Sequence, residues 1–228
     1  MPEQQSIPFA TDGEYLTEEA TYLATLARRI TNQQRLRDLL VDDLHAQDRV
    51  IGTHEPTAVE ACRCNIEALI EQERDLRHSL DQRLTAHRAD PQRFRLGLDV
   101  VCEEHALPPE ARTLLAVATI CACSKEVGEQ IVDGPGWSFY GGPTVENLYR
   151  ILGATSLDSR LRLRSVFPPL IRNGLIAVDV GRSGYPEDRL GSRVYITSAA
   201  FVRITGLAPE DEGWLDGAQS SGRRARQG

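Results

Sequence analysis

Apolar side chains recur at helical spacing along two stretches in the N-terminal part of the chain. The first stripe holds Leu23, Leu26, Ile30 and Leu40, with Gln33 as one polar interruption, behind a predicted N-cap at Thr17. A break at residues 52–56 separates it from the second stripe, which contains Val59, Cys62, Ile66, Leu69, Leu76, Leu80 and Leu84. Two amphipathic helices joined by a short turn predict an antiparallel helical hairpin over residues 14–90, preceded by a flexible arm at residues 1–13.

The pattern changes after Asp90-Pro91, because proline disfavours helical backbone in the residue before it. Residues 110–123 are apolar on most sides and predict a buried helix, and the Gly-rich residues 124–143 predict a loop. Two shorter helices are expected at residues 144–153 and 156–166, the second of them ended or kinked by Pro168-Pro169. Residues 174–180 and 193–197 read as strands around a turn-rich loop, and Ser198 is expected to cap a last short helix.

Three helices followed by strand, loop and strand is the order of a winged helix-turn-helix. The predicted fold class is therefore mainly α, with the hairpin followed by a winged helix-turn-helix domain at residues 91–206 that carries a two-stranded wing. The acidic and then small, polar residues 207–228 predict a disordered tail.

Charge is distributed unevenly along the chain. The formal net charge is −7, which argues against binding of nucleic acid over the whole surface. Residues 1–90 carry ten arginines against seventeen acids, whereas residues 144–206 carry nine arginines against five acids. Lys125 is the only lysine, and such a preference for arginine suggests a GC-rich, bacterial source. The second half is thus a locally basic module within an acidic protein.

Arginines mark the candidate binding site. Arg160, Arg162 and Arg164 lie where the recognition helix is expected, and Arg172, Arg182, Arg189 and Arg193 lie at its end and in or beside the wing. In a DNA-binding winged helix such residues would contact phosphates or guanine edges. The alternatives are docking of a protein on the same surface and a solvated face with scattered ion pairs.

No pattern in the chain predicts a catalytic or metal site. Cys62-x-Cys64 and Cys121-x-Cys123 lack the spacing and the second pair that zinc needs, so Cys121 and Cys123 are interpreted as buried apolar residues. The five histidines are interpreted as surface residues, and neither an H-E-x-x-H nor a G-x-S-x-G sequence occurs. We expect a protein that is not an enzyme and has no cofactor. With no signal peptide or membrane-spanning run, a cytoplasmic location is expected.

Residues 91–206 resemble the N-terminal winged-helix domain of certain bacterial AAA-family ATPases. The matching stretches are Pro143-Thr144-Val145, the Leu- and Arg-rich residues 156–164, Arg172-Asn173-Gly174-Leu175-Ile176 and Val202-Arg203-Ile204-Thr205-Gly206. The resemblance implies a winged-helix fold and a partner that is an AAA-type ATPase or its target. The phosphate-binding G-x-x-x-x-G-K-[ST] loop of such ATPases is absent from this sequence, so ATP hydrolysis is not expected here.

Three functions are consistent with these observations. The first is a protein-docking or regulatory module that acts with an AAA-type ATPase, with the hairpin forming a coiled-coil-like arm or a homodimer through residues 14–88. The alternative for the hairpin is that it packs back onto the winged-helix domain. The second is a DNA-binding transcription regulator that dimerises through the same residues. The third is a detached regulatory domain, or a fragment, of a longer ATPase.

Overall fold

The computed structural model describes residues 7–47, 56–90, 92–132, 142–154, 156–179 and 191–207. Within them the chain forms eight helices and one two-stranded sheet. The elements are α1 (Asp12–Gln47), α2 (Pro56–Ala89), α3 (Gly97–Glu104), α4 (Pro109–Cys123), α5 (Lys125–Val132), α6 (Val145–Ile151), α7 (Leu157–Arg172), β1 (Ile176–Asp179), β2 (Arg193–Ile196) and α8 (Ser198–Thr205). The mainly helical fold class with a small antiparallel sheet is as predicted.

The first helix begins earlier than its apolar stripe suggests. Thr17 is not an N-cap: its hydroxyl donates to the carbonyl of Gly13, one turn back inside α1. The start of the helix is held instead by Thr11, whose hydroxyl oxygen accepts from the backbone N–H of Glu14. Phe9, within the predicted arm, is fully buried against the ring of Tyr15. The first helical turns therefore belong to the packed core.

Residues 124–143, predicted as a loop, contain an additional helix. Helix α5 starts directly after α4, with Ser124 between them accepting at its hydroxyl oxygen from the N–H of Val127. Gly128, which suggested a loop, is buried within α5, and Ile131 and Val132 are buried at its end. Packing against α1 and α4 outweighs the low helix propensity of one glycine, which is about 1 kcal/mol.

Of the two alternatives predicted for Pro168-Pro169, an end or a kink of the helix, the end is wrong, since α7 continues through both prolines to Arg172. A proline inside a helix removes one backbone hydrogen bond and clashes with the preceding turn. Phe167 and Leu170 flank the prolines and are both buried, so their packing opposes a break at this point. The N–H of Asn173 still donates to the carbonyl of Pro169 at 3.0 Å.

The sheet has the predicted hairpin arrangement, with Ile176 opposite Ile196 and Asp179 opposite Arg193. Val194 and Ile196 point into the core, while Arg193 and Tyr195 lie half-buried on the other face. Thr144 forms a further isolated bridge to Arg193, which brings the start of α6 to the sheet edge. The turn-rich loop between the strands lies largely outside the described residues.

A single cluster of buried side chains connects the hairpin to the rest of the molecule. It extends from Phe9 in the N-terminal segment through Leu80 of α2 and Leu115 of α4 to Ile204 of α8. Helix α1 contacts α2, α4, α5, α6 and α8. We call the N-terminal part of α1, residues 12–29, and the C-terminal part of α2, residues 76–89, the hairpin root. The hairpin root thus shares its core with residues 91–206. Among the described helices, none is both long and apolar enough to cross a membrane.

Candidate partner-binding face

Helix α7 has two faces of different character. Leu163, Val166, Phe167 and Leu170 follow at helical spacing and are buried. Leu157 and Leu161, one turn apart on another side of the helix, are 75% and 55% exposed, and Ile171, one turn after Phe167, is 46% exposed. We call Leu157, Leu161, Ile171 and the exposed arginines around them the α7 outer face.

The start of α7 is fixed by a reciprocal cap. The Ser156 hydroxyl oxygen accepts from the N–H of Ser159 at 3.1 Å, and the Ser159 hydroxyl oxygen accepts from the N–H of Ser156 at 3.0 Å. This arrangement satisfies two backbone donors at the first turn. It also sets the position of Leu157 immediately after the cap, where its side chain projects into solvent.

Arg160 is held by the protein itself. Its guanidinium donates to the Glu146 carboxylate at 3.0 Å and to the Ala154 carbonyl at 3.1 Å. It also lies 5.6 Å from the centre of the Tyr149 ring. Burial raises the pKa of Tyr149, because its effect is larger than the opposing effect of the nearby Arg164 and Arg160 guanidinium groups, which lower that pKa. Arg160 therefore joins α7 to α6, and only part of its hydrogen-bonding capacity faces outward.

The other three arginines of α7 are more accessible. Arg162 is exposed and pairs one turn back with Asp158 at 2.7 Å, as is common on a solvated helix face. Arg164 and Arg172 are exposed, with Arg172 in the last turn, where it complements the helix dipole. The α7 outer face thus combines exposed leucines and isoleucine with a surplus of positive charge.

Of the arginines predicted in or beside the wing, the described residues include Arg193 alone. Arg193 lies in β2, paired with Asp179 across the sheet and bridged to Thr144. Arg182 and Arg189, also predicted as site residues, lie outside the described residues.

Sequence reasoning missed the exposed apolar residues. Leu157 and Leu161 were not distinguished from Val166, and of these three only Val166 is buried. The signal was present, because residues 163, 166, 167 and 170 form a complete apolar stripe of their own at successive spacings of three, one and three residues. Because this stripe already supplies the buried face of the helix, Leu157 and Leu161, which lie on a different side, are left outside the core.

A cluster of charged groups at the hairpin root has a structural role. Arg112 of α4 and Arg88 of α2 both donate to Asp99 of α3, at 2.9 and 2.8 Å. Burial opposes ionisation of Asp99, yet these two guanidinium groups hold its pKa below the ordinary value. Arg112 also stacks 5.0 Å from the centre of the Tyr15 ring, and the Tyr15 hydroxyl donates to buried Glu19 at 2.9 Å. These contacts join α1, α2, α3 and α4.

His87 corrects the expectation of surface histidines, because it is buried and its Nε2 lies 2.9 Å from the Phe94 carbonyl oxygen. His45 and His54 lie outside the residues whose side chains are described. Cys121 is buried as predicted, whereas Cys123 is exposed, since it occupies the end of α4. No group of three or more His, Cys, Asp or Glu residues in the described segments is placed to hold a metal ion.

The helices α6 and α7, the antiparallel strands that follow them and the bridge at Thr144 define a winged-helix protein. In agreement with this architecture, residues 1–218 match the family model described as "Winged helix domain, variant", and the chain belongs to that family. The match includes α1 and α2 as well as residues 91–206. No curated protein and no solved structure matched the chain.

Proposed function

We propose that this protein is a non-enzymatic docking module whose α7 outer face binds another protein. The observation that supports it is the exposure of Leu157, Leu161 and Ile171 on the helix that a DNA-reading winged helix would place in the major groove. Apolar residues at the centre of a surface with arginines around it are typical of protein interfaces. Phosphates and base edges, by contrast, are contacted mainly by polar and basic side chains.

The ion pairs of the α7 arginines also favour protein docking over DNA binding. Arg160 and Arg162 are already paired with carboxylates of this chain, so their use on DNA would require those pairs to be broken. Arg164 and Arg172 remain exposed, and residues 144–206 are basic, which keeps a DNA-binding regulator as the second candidate.

The resemblance to the domain that precedes bacterial AAA-family ATPase modules suggests the partner. An AAA-type ATPase, or the target of one, would dock on the α7 outer face, with this chain acting as a separate regulatory subunit or as a detached domain. Dimerisation through residues 14–88 would present two such faces at once. A cytoplasmic location is consistent with this role.

The DNA alternative is tested by fluorescence anisotropy of a labelled duplex of mixed sequence, titrated with the full chain at roughly 50 and 200 mM salt. We expect no salt-sensitive binding in the micromolar range. Micromolar affinity that falls with salt and is lost in the combined variant Arg162→Ala, Arg164→Ala, Arg172→Ala would replace the docking proposal with the regulator.

Docking itself is tested by a photo-crosslinking amino acid, p-benzoylphenylalanine, introduced at Leu161 in cells of the source organism. A discrete protein adduct is expected, and it should disappear when Leu157→Glu is added. The same amino acid at Ala199, an exposed position on α8, provides the matched control. Equal adducts at both positions, or none at Leu161, would contradict a specific interface on α7.

A further inference from the structure

A groove of about 590 Å³ lies between the hairpin root and the helices that follow it. Helix α1 forms one wall with Leu16, Ala20 and Ala24, and the small side chains of the two alanines occupy little of the groove. The opposite wall contains Ile120 of α4 and Val127 of α5. The volume lies within the range of about 300–1,000 Å³ typical of ligand sites, and most of this lining is apolar.

The chain itself arrives at this groove at the end of α8. Gly206 adopts φ +69°, a left-handed conformation that ends the helix and turns the backbone. The N–H of Leu207 then donates to the Thr205 hydroxyl oxygen at 3.2 Å. Thr205 and Leu207 both line the groove, and Leu207 is half exposed there. Residues 208–218 therefore continue from the edge of the groove.

The composition of residues 208–218 is complementary to the groove. They contain Trp214 and Leu215 among four acids, Glu210, Asp211, Glu212 and Asp216, and no basic residue. The groove contains Arg28, which is exposed and makes no ion pair within the described part of the chain. An extended chain from Leu207 to Trp214 reaches roughly 24 Å, at about 3.4 Å per residue.

The family match supplies a separate argument. It ends at residue 218 and so includes Trp214 and Leu215, but it excludes the arginine-containing end at residues 219–228. The acidic, aromatic segment thus belongs to what the family model describes, together with the helices that form the groove.

We propose that residues 208–218 bind intramolecularly in this groove, with Trp214 or Leu215 against Leu16, Ala20 and Val127 and the acidic side chains near Arg28. Burial of one indole would remove about 150–250 Å² of largely apolar surface from water. The segment would then connect α8 to α1 and α5 and stabilise the hairpin root in its present position. This proposal does not depend on what binds the α7 outer face.

Cys123 allows a direct test, because this exposed thiol lines the groove. The full chain with Cys64→Ser and Cys102→Ser is labelled at Cys123 with bimane, a fluorophore quenched by an indole in contact with it. We expect quenched bimane in this protein and loss of the quenching in Trp214→Phe. Trp137→Phe provides the control for the other tryptophan of the chain and should leave the quenching intact.

Charge and specificity are tested in the same assay. Arg28→Glu should weaken the quenching, whereas Arg35→Glu, an exposed arginine further along α1 and outside the groove, should not. In a matched control the label is moved to Cys64 on α2, with Cys123→Ser, and Trp214→Phe should then have no effect.

Two outcomes would overturn the proposal. Bimane at Cys123 that is equally bright with and without Trp214, or quenched by Trp137 instead, would show that residues 208–218 do not occupy the groove. Quenching of labelled Trp214→Phe protein by an excess of unlabelled full chain would assign the groove to the C-terminal segment of a second copy.

Discussion

The hairpin root and the α7 outer face contain the same kinds of side chain in opposite roles. At the root, the Nε of Arg112 donates to Asp99 and its guanidinium stacks on Tyr15, and Leu23 of α1 is fully buried. On α7, Leu161 is more than half exposed and Arg164 lies at the surface. Arginine and leucine therefore contribute to stability where carboxylates and other helices cover them, and they are accessible for contact with a partner where no described residue covers them.

The largest contrast between the regions should appear in stability. Leu23→Ala is expected to lower the free energy of unfolding by about 3 kcal/mol, because it removes a fully buried side chain and leaves a cavity. Leu161→Ala should change it by less than about 0.5 kcal/mol, as is usual for exposed positions. Urea denaturation followed by circular dichroism measures both. Similar losses for the two variants would mean that the α7 outer face is covered by the protein itself.

A smaller effect is expected from the charged cluster at the root. Asp99→Asn should cost about 2 kcal/mol near neutral pH, since it leaves the Arg112 guanidinium without its charged partner. Arg95→Ala removes an exposed pair with Glu103 and serves as the control, with an expected change of at most about 0.5 kcal/mol.

The same variant has a defined dependence on pH. The pKa of Asp99 is lower in the folded chain than its ordinary value of 3.8, so ionised Asp99 stabilises the fold above that value. The difference in unfolding free energy between wild type and Asp99→Asn should be constant near neutrality. It should shrink as the pH falls below 3.8 through the folded-state pKa. A difference that grew on acidification would contradict the assignment.

The smallest of these effects concerns the start of α7. Ser156→Ala removes the reciprocal cap and should cost about 1 kcal/mol. Ser165→Ala, which removes only a hydroxyl bonded to the Arg162 carbonyl within the same helix, should be close to neutral. If the cap positions Leu157 for a partner, Ser156→Ala should also weaken the crosslink at Leu161, whereas Ser165→Ala should leave it unchanged.

Local signals were sufficient for much of the fold. The stripes in α1 and α2, the apolar α4 and the antiparallel strands β1 and β2 each depend on neighbours in the sequence, and each was predicted. The errors have a common cause. Helix α5 forms around Gly128, and α7 continues through Pro168 and Pro169, because contacts with distant elements outweigh local propensity.

The candidate site was predicted in part. Arg162, Arg164 and Arg172 lie on an accessible helix as expected, but Arg160 is engaged by Glu146, which is distant in the sequence. Whether a leucine of α7 faces the core or the solvent likewise depends on which of two stripes the other helices cover. That decision requires the positions of the other elements.

The sequence by itself determined most of the helices, both strands, the order that defines a winged helix, and the lack of a phosphate-binding loop in this sequence, because these depend on local patterns of residue type. Tertiary structure alone decided that the hairpin root shares one core with the winged helix, that Asp99 joins Arg88 and Arg112, and that Leu157 and Leu161 remain exposed. These features depend on contacts between residues far apart in the chain, and helical periodicity specifies a face of an element without specifying what packs against it.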